Sequence, residues 1–198
     1  MRHVHEDICN EKSDTDLIRL TLQDKDYFAC VIYRYEARLL RYIRRITDVA
    51  LEEAEDILQE VFIKTYINLH DFDETLNFSS WIYRIARNHV ISMHRKRMVR
   101  PEGWLANMDD SSLENLAGDM DIVGEVDAAL LGEHLRKVIN CLQDPYKEIV
   151  ILRFFEEKEY KEISDIMKIP MGTVATYIRR AKNQLHKKLQ KEHINTVS

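Results

Sequence analysis

The sequence predicts an all-α protein of two small helical domains joined by an acidic flexible linker. Three observations favour this fold class. Apolar residues recur at three- and four-residue spacing, the 198 residues include only 5 Gly and 3 Pro, and the charged residues fall into blocks. A fold rich in β-turns needs more Gly and Pro, while a 45% hydrophobic content is too high for a disordered chain.

Four helices are predicted in the first hundred residues. The first two run from about Thr15 to Leu22 and from Tyr27 to Ile46, and the third from Ala54 to Leu69. The fourth begins at a cap on Ser79 or Ser80 and continues into a basic end. One predicted buried stripe follows the third helix and comprises Ile57, Leu58, Val61, Phe62, Tyr66 and Leu69.

The charge distribution predicts the domain boundaries. Residues 75–101 and 166–191 contain no acid, whereas residues 101–135 contain no Lys or Arg and four of the five glycines. The net charge of −5 by itself argues against a nucleic-acid partner, but two separate basic blocks on helices favour one. We therefore expect an N-terminal domain at 1–100, an acidic linker at 101–126 and a C-terminal domain at 127–198.

The C-terminal domain has the pattern of a helix-turn-helix. A first helix is predicted after Asp144 as its cap, with Pro145 at the first position. A short helix from Tyr160 to Lys168, a tight turn, and a long basic helix from Thr173 to Lys191 follow. Packing between the last two helices is expected at Ile163, Met167, Ile169, Val174 and Ile178.

The cysteines are too scattered to predict a disulfide or a zinc site. We expect Cys30 and Cys141 to be buried, reduced thiols, and the sequence predicts no cofactor and no metal. A site built from His3, His5 and Cys9 is the weak exception. An acidic N-terminus and the lack of a long apolar run predict neither export nor membrane insertion, hence a cytoplasmic location.

Both basic blocks suggest contacts with nucleic acid. In the long C-terminal helix, base or phosphate contacts are expected from Thr173, Thr176, Tyr177 and Arg180, and backbone contacts from Arg179 and Lys182. In the N-terminal block, aromatic residues accompany basic ones, a combination suited to unpaired bases. That block includes Phe72, Phe78, Trp81, Tyr83, Arg84, Arg87 and Asn88, and we expect Trp81 to be part of the core.

Three stretches together resemble the extracytoplasmic-function (group IV) sigma factors of the sigma-70 family. They are EDILQEVF at 55–62, FSSWIYRIARN at 78–88, and residues 146–189. The resemblance implies a bacterial RNA polymerase subunit that recognises −10 and −35 promoter elements and helps to melt DNA. It also implies a sigma-2-like and a sigma-4-like domain, contacts with the β′ clamp helices and the β subunit, and an inhibitory anti-sigma factor.

The resemblance also assigns roles to individual residues. Polymerase binding falls to Asp56, Ile57, Gln59, Glu60 and Phe62. Phe72 and Asn88 correspond to positions around the flipped −10 base, and the helix end containing Arg95, Lys96 and Arg97 would hold phosphates. Thr176, Arg179 and Arg180 match −35-reading positions, and the acidic linker would thread toward the polymerase active-site cleft.

This sequence departs from the family pattern at three positions. The family commonly has Gly at Lys168, where a side chain in the left-handed region costs about 1 kcal/mol. It also has Lys or Arg at Ala175 and Arg at Tyr177, so the preferred −35 sequence is left open.

Other classes explain less of the chain. A stand-alone dimeric helix-turn-helix regulator accounts only for the C-terminal basic block, and a helical interaction protein accounts for neither block. A di-iron enzyme would need Glu-x-x-His pairs, which the sequence lacks.

Overall fold

The computed structural model describes residues 9–47, 49–99 and 139–196, and every regular element within them is helical. This confirms the all-α fold class. The described residues divide into two compact units, one containing residues 9–99 and the other containing residues 139–196 apart from Asp165–Met167, while the predicted linker lies outside the described residues. The α-helices are α1 Asp14–Gln23, α2 Phe28–Ile46, α3 Leu51–Ile67, α4 Phe78–Val99, α5 Tyr146–Val150, α6 Tyr160–Met167 and α7 Met171–Thr196. Short 3₁₀ turns occupy Lys25–Tyr27 and Leu69–Asp71.

The N-terminal unit is a bundle in which α2 packs on α3 and α3 packs on α4. Its core consists of the apolar stripes of these helices, including Leu39, Ile43, Val61 and Ile82, all of which are fully buried. Thr65 is also buried there, and its hydroxyl donates to the carbonyl of Val61 at 2.8 Å. Because the Thr65 hydroxyl is hydrogen-bonded within its own helix, it needs no polar partner from the neighbouring helices in the core.

Two expectations for this bundle are wrong in detail. Helix α4 begins at Phe78, and the cap is Asn77, whose side-chain oxygen accepts a hydrogen bond from the Ser80 amide at 3.1 Å. Ser79 and Ser80 thus lie in the first turn, because the Asn77 side chain caps the helix two or three residues earlier than either Ser would. Tyr66 is partly exposed at the end of α3, with its ring 5.1 Å from that of Phe28 in an edge-on contact.

The cysteines also differ from expectation. Cys9 and Cys30 form a disulfide, and Cys141 is exposed rather than buried. The guanidinium of Arg34, one turn after Cys30 on α2, donates to the carbonyls of Cys9 and Lys12. This side chain holds the N-terminal segment against α2, which brings together two cysteines separated by 21 residues. His3 and His5 lie outside the described residues.

In the C-terminal unit, Asp144 does not cap a helix. The Asp144–Pro145 peptide is cis, Pro145 itself flanks the helix, and α5 begins at Tyr146. Helix α5 continues through a π-helical turn at Ile151–Phe155, and it packs on α7. Helix α6 has a capping box, since the amide of Glu159 donates to the carboxylate of Glu162 at 2.9 Å.

The helix-turn-helix pattern is confirmed by α6, its turn and α7. Lys168 has φ 56° and ψ 45°, which is the left-handed conformation expected at the position where the family has Gly. Ser164 closes the turn, since its carbonyl accepts the amide of Ile169 at 3.3 Å and its hydroxyl donates to the Ile169 carbonyl at 2.6 Å. Of the residues expected to pack here, Ile163, Met167, Val174 and Ile178 are buried and Ile169 is half-buried.

None of the helices in the described parts of the chain is both long enough and apolar enough to cross a membrane.

Candidate functional site

Helix α3 presents a continuous outward face. Successive residues turn by about 100°, so Asp56, Gln59 and Glu60 share one side of the helix, and all three are exposed. Ile57 and Phe62 point the other way and are buried, Ile57 with only 2% of its surface exposed. Ile57 was expected to help bind the polymerase, but its side chain belongs to the core of the bundle and is not available to a partner.

The second half of this outward face is apolar, which the sequence reasoning missed. Ile63 and Ile67 are 59% and 67% exposed, and they follow Asp56 and Glu60 at helical spacing. A groove of about 690 Å³ runs beside them between α2 and α3. Its lining includes Phe28, Ile32, Leu40, Gln59, Phe62 and Tyr66. The helical period could have placed the two isoleucines on this side, since neither belongs to the buried stripe.

Helix α4 carries a polar stripe on the side opposite its buried residues. At about 100° per residue, Arg84, Arg87, Asn88 and Arg95 fall within roughly 100° of arc. Asn88 and Arg95 are exposed and the two other arginines are half-buried. Lys96 is exposed but falls on the His89 side of α4, outside the stripe, and the side chain of Arg97 lies outside the described residues.

The aromatic residues before and inside α4 form a cluster rather than an open stacking platform. The ring of Phe72 lies 5.3 Å from Phe78 and 5.1 Å from Trp81. All three are buried, which confirms the expectation that Trp81 is part of the core. Phe72 therefore supports the chain segment before α4 and exposes little of its own ring.

An ion pair and a pair of hydrogen bonds hold the segment before α4 in place. Arg19 of α1 pairs with Glu74 at 2.5 Å. Asp73 accepts hydrogen bonds from the amide and hydroxyl of Thr75 at 2.9 and 2.7 Å, and these bonds lower the pKa of the Asp73 carboxyl. The charged pair joins residues 55 apart in the chain, so nothing in the local sequence pattern could have identified it.

A buried histidine lies where α4 packs on α3. His89 of α4 is only 6% exposed, its Nδ1 is hydrogen-bonded to Nζ of Lys64, and its Nε2 lies 3.3 Å from Oε2 of Glu60. Burial, and then the charge of Lys64, lower the pKa of the imidazole. Sequence reasoning did not identify this cluster, although His89 falls on the buried face of α4 by helical spacing.

Helix α7 also has a polar face opposite its buried Val174 and Ile178. Arg179 and Arg180 are exposed on it, and the Thr176 hydroxyl donates to the Gly172 carbonyl at 2.9 Å. Asn183 is exposed on the same face, one further turn along, and was not among the predicted residues.

The remaining −35 candidates on α7 lie beside this face. Tyr177 packs edge-on against Tyr146 of α5 with ring centroids 5.5 Å apart, and Lys182 lies 5.3 Å from the ring centre of Phe154. Thr173 is half-buried in the first turn. The structure therefore brings together Thr176, Arg179 and Arg180, while Tyr177 and Lys182 are held by neighbouring rings.

Family comparisons define the class to which this arrangement belongs. Residues 31–99 match the model described as Sigma-70 region 2, and residues 133–185 match the model described as Sigma-70, region 4. The first match contains α3 and α4, and the second contains α5 and α6 with the first half of α7. The polar faces of α4 and α7 thus fall within the segments that match Sigma-70 region 2 and region 4.

Relatives that match over most of their length identify the subclass of sigma-70 proteins. The chain is 34% identical over 174 residues to the ECF RNA polymerase sigma factor SigW of Bacillus subtilis, covering 84% of this chain and 91% of the relative. It is 31% identical over 188 residues to the RNA polymerase sigma-H factor of Pseudomonas aeruginosa, covering 91% and 95%. The chain belongs to the extracytoplasmic-function RNA polymerase sigma factors of the sigma-70 family.

Solved structures share the fold. CnrH in complex with the cytosolic domain of CnrY matches with a TM-score of 0.66 at 18% identity, over 91% of this chain and 99% of that one. The sigma factor RpoE in complex with the anti-sigma factor NepR from Bartonella quintana matches with a TM-score of 0.61 at 20% identity, over 82% and 96%. A stand-alone helix-turn-helix regulator is not favoured, because the chain matches both Sigma-70 region 2 and Sigma-70, region 4.

Proposed function

We propose that this sigma factor binds core RNA polymerase through the outward face of α3. The observation that carries the proposal is the composition of that face, with acids in its first half and exposed isoleucines beside a groove in its second half. Exposed apolar surface of this kind is typical of a protein interface, and the acids add selectivity for a basic partner. We expect the β′ clamp helices to cover Asp56, Gln59, Glu60 and Ile63, with further contacts to the β subunit.

The polar stripe of α4 is proposed to bind the −10 element. Asn88 can make hydrogen bonds to an exposed base edge, while Arg84, Arg87, Arg95 and Lys96 can pair with phosphates. Capture of an extruded base offsets the few kcal/mol that unstacking costs, so opening needs no ATP. Phe72 acts through Phe78 and Trp81 by supporting the segment that precedes the stripe.

The polar face of α7 is proposed to enter the major groove at the −35 element. Thr176 and Arg180, together with Asn183, would meet base edges, and Arg179 would bind the backbone. Tyr177 and Lys182 would position the helix through their contacts with Tyr146 and Phe154. Arginine on phosphate makes this binding salt-dependent.

The domain boundaries, the location and the partners that we propose follow from membership of the sigma-factor family. We propose domains at 1–100 and 127–198, with an acidic linker at 101–126 that enters the polymerase cleft. The protein would act in the cytoplasm as an initiation subunit and not as an enzyme. Its partners would be core polymerase, promoter DNA and an anti-sigma factor that holds it inactive.

In vitro transcription tests this proposal. Purified chain is added to core polymerase and a library of genomic promoter fragments, and transcript starts are mapped by sequencing. We expect starts at a shared pair of −10 and −35 elements only when the chain is present. A charge-reversed Arg179→Glu/Arg180→Glu variant should keep core binding and lose −35-dependent starts. A chain that neither co-purifies with core polymerase nor produces any start would refute the function.

A further inference from the structure

The histidine between α3 and α4 connects the two surfaces proposed above. Glu60 belongs to the polymerase-binding face of α3, and its side chain is 61% exposed. His89 lies on α4, directly after Asn88 in the sequence. An imidazole that contacts both Lys64 and Glu60 therefore joins the helix that would bind the polymerase to the helix that would bind the −10 element.

We propose that His89 is a positioning residue for Glu60, and that its protonation withdraws this carboxylate from the polymerase. The inference rests on the proposed function of α3. It concerns a histidine that contacts neither DNA nor polymerase and acts only through its neighbour.

The hydrogen-bonding roles of the neutral imidazole are fixed by Lys64. An ammonium group can only donate, so Nδ1 must accept and the ring proton must lie on Nε2. Nε2 makes no aligned hydrogen bond with any atom of the described chain, although Glu60 is within ion-pair distance. In this state Glu60 is loosely held and remains available to a partner.

Protonation reverses these relationships. With a proton on Nδ1, His89 can no longer accept from Lys64, and the two cations repel each other. Among the described residues, the charged groups acting on the ring are Glu60 and Lys64 from α3 and Lys96 from α4 itself, so Glu60 is the one anion among these. The carboxylate becomes the counter-ion of a buried imidazolium, and a basic partner must compete for it.

A titration of the free chain tests the cluster without polymerase. The His89 ring signals are followed by NMR against pH in the full-length protein. We expect Glu60→Gln to lower the His89 midpoint and Lys64→Gln to raise it, because the first removes an anion and the second a cation. Glu52→Gln, an exposed acid at the start of the same helix, should leave the midpoint unchanged. Midpoints that respond to neither cluster substitution would overturn the proposal.

Core binding as a function of pH tests the consequence. We expect the affinity of the wild-type chain for core polymerase to fall roughly threefold more than that of His89→Gln, which cannot be protonated, as the pH is taken from 8 to values well below 6.5, because the pKa of His89 is lowered. His94→Gln, an exposed histidine on α4, should behave as the wild type does. Lys64→Gln should shift the fall to higher pH, and it provides the same test should His89→Gln fold poorly.

The outcomes separate this inference from the function on which it rests. Parallel pH profiles for wild type and His89→Gln, in proteins shown by circular dichroism to be folded, would overturn the role of His89 and leave the sigma-factor function intact. No binding to core polymerase at any pH would overturn both.

Discussion

Tyr35 of α2 donates its hydroxyl hydrogen bond to the carboxylate of Asp14 in the first turn of α1. The same carboxylate pairs with Arg34 at 2.6 Å. The phenol is almost fully buried, and burial, followed by the nearby negative charge, raises the pKa of Tyr35 far above its ordinary value of 10.0. One aspartate thereby fixes α1 on the bundle.

Substitution of Tyr35 by Phe should therefore be costly at neutral pH and matter less at alkaline pH. We expect a loss of about 2 kcal/mol in unfolding free energy at pH 7, the usual contribution of a hydrogen bond to a charged group. The native state retains the Tyr35 proton more strongly than the unfolded chain, so this contribution is complete below pH 10 and declines as the pH rises towards the raised pKa. Urea unfolding at pH 7, 9 and 10.5 measures the difference.

Tyr33→Phe is the matched control, because Tyr33 is an exposed phenol on the same helix. It should leave stability unchanged at each pH. A gap between wild type and Tyr35→Phe that stays constant or widens above pH 10 would contradict the assigned hydrogen bond.

The Cys9–Cys30 disulfide predicts a redox-dependent stability of the N-terminal unit. Closing a loop of about 20 residues stabilises a fold by about 3 kcal/mol in the chain-entropy model. Reductant, or Cys9→Ser with Cys30→Ser, should lower the free energy of unfolding by this order, whereas Cys141→Ser should not. A thiol assay in denaturant should find one free thiol per chain, and three would show that the disulfide does not form.

Local patterns predicted most of the fold, and long-range contacts account for what they missed. Helical periodicity located α2 and α7 to within a few residues, and the left-handed turn at Lys168 was expected because the family that the sequence resembles commonly has Gly there. Periodicity carries no information about which distant segments meet, so the Cys9–Cys30 pair was not predicted. Family motifs contain interface and core residues alike, and the burial of the Ile57 side chain, which the motif alone does not reveal, places it in the core of the bundle.

The left-handed residue in the helix-turn-helix predicts that glycine stabilises this turn. Lys168 has φ 56°, where a side chain costs about 1 kcal/mol and glycine costs nothing comparable. Lys168→Gly should raise the protection of α6 and α7 amides in native-state hydrogen exchange. The same change at Lys161, in the first turn of α6, should lower protection instead, because glycine has a low helix propensity. Equal effects at both positions would exclude backbone strain as the cause.

The exposed isoleucines of α3 predict a binding defect without a folding defect. Ile63→Asp places a charge on the rim of the α2–α3 groove at a site already 59% exposed, so unfolding free energy should change by less than about 0.5 kcal/mol. Affinity for core polymerase should fall about tenfold or more, since an interface core tolerates an unpaired charge poorly. Leu51→Asp, at an exposed position outside the groove lining, should bind normally.

Biolayer interferometry with immobilised core polymerase compares the affinities of the two variants. Equal affinities would show that the groove is not part of the interface.

The polar stripe of α4 predicts that promoter opening and polymerase binding can be separated at Asn88. Its side chain is exposed, so Asn88→Ala should fold and bind core polymerase as the wild type does. Loss of one good base contact should reduce open-complex formation roughly tenfold at a promoter with an intact −10 duplex. Asn68→Ala, an exposed asparagine at the end of α3, serves as the matched control and should open the promoter normally.

A fluorescent base analogue in the −10 element reports promoter opening, and gel-shift assays report core binding. If Asn88→Ala loses core binding as much as it loses opening, then Asn88 supports the structure of the bundle and does not contact the −10 base.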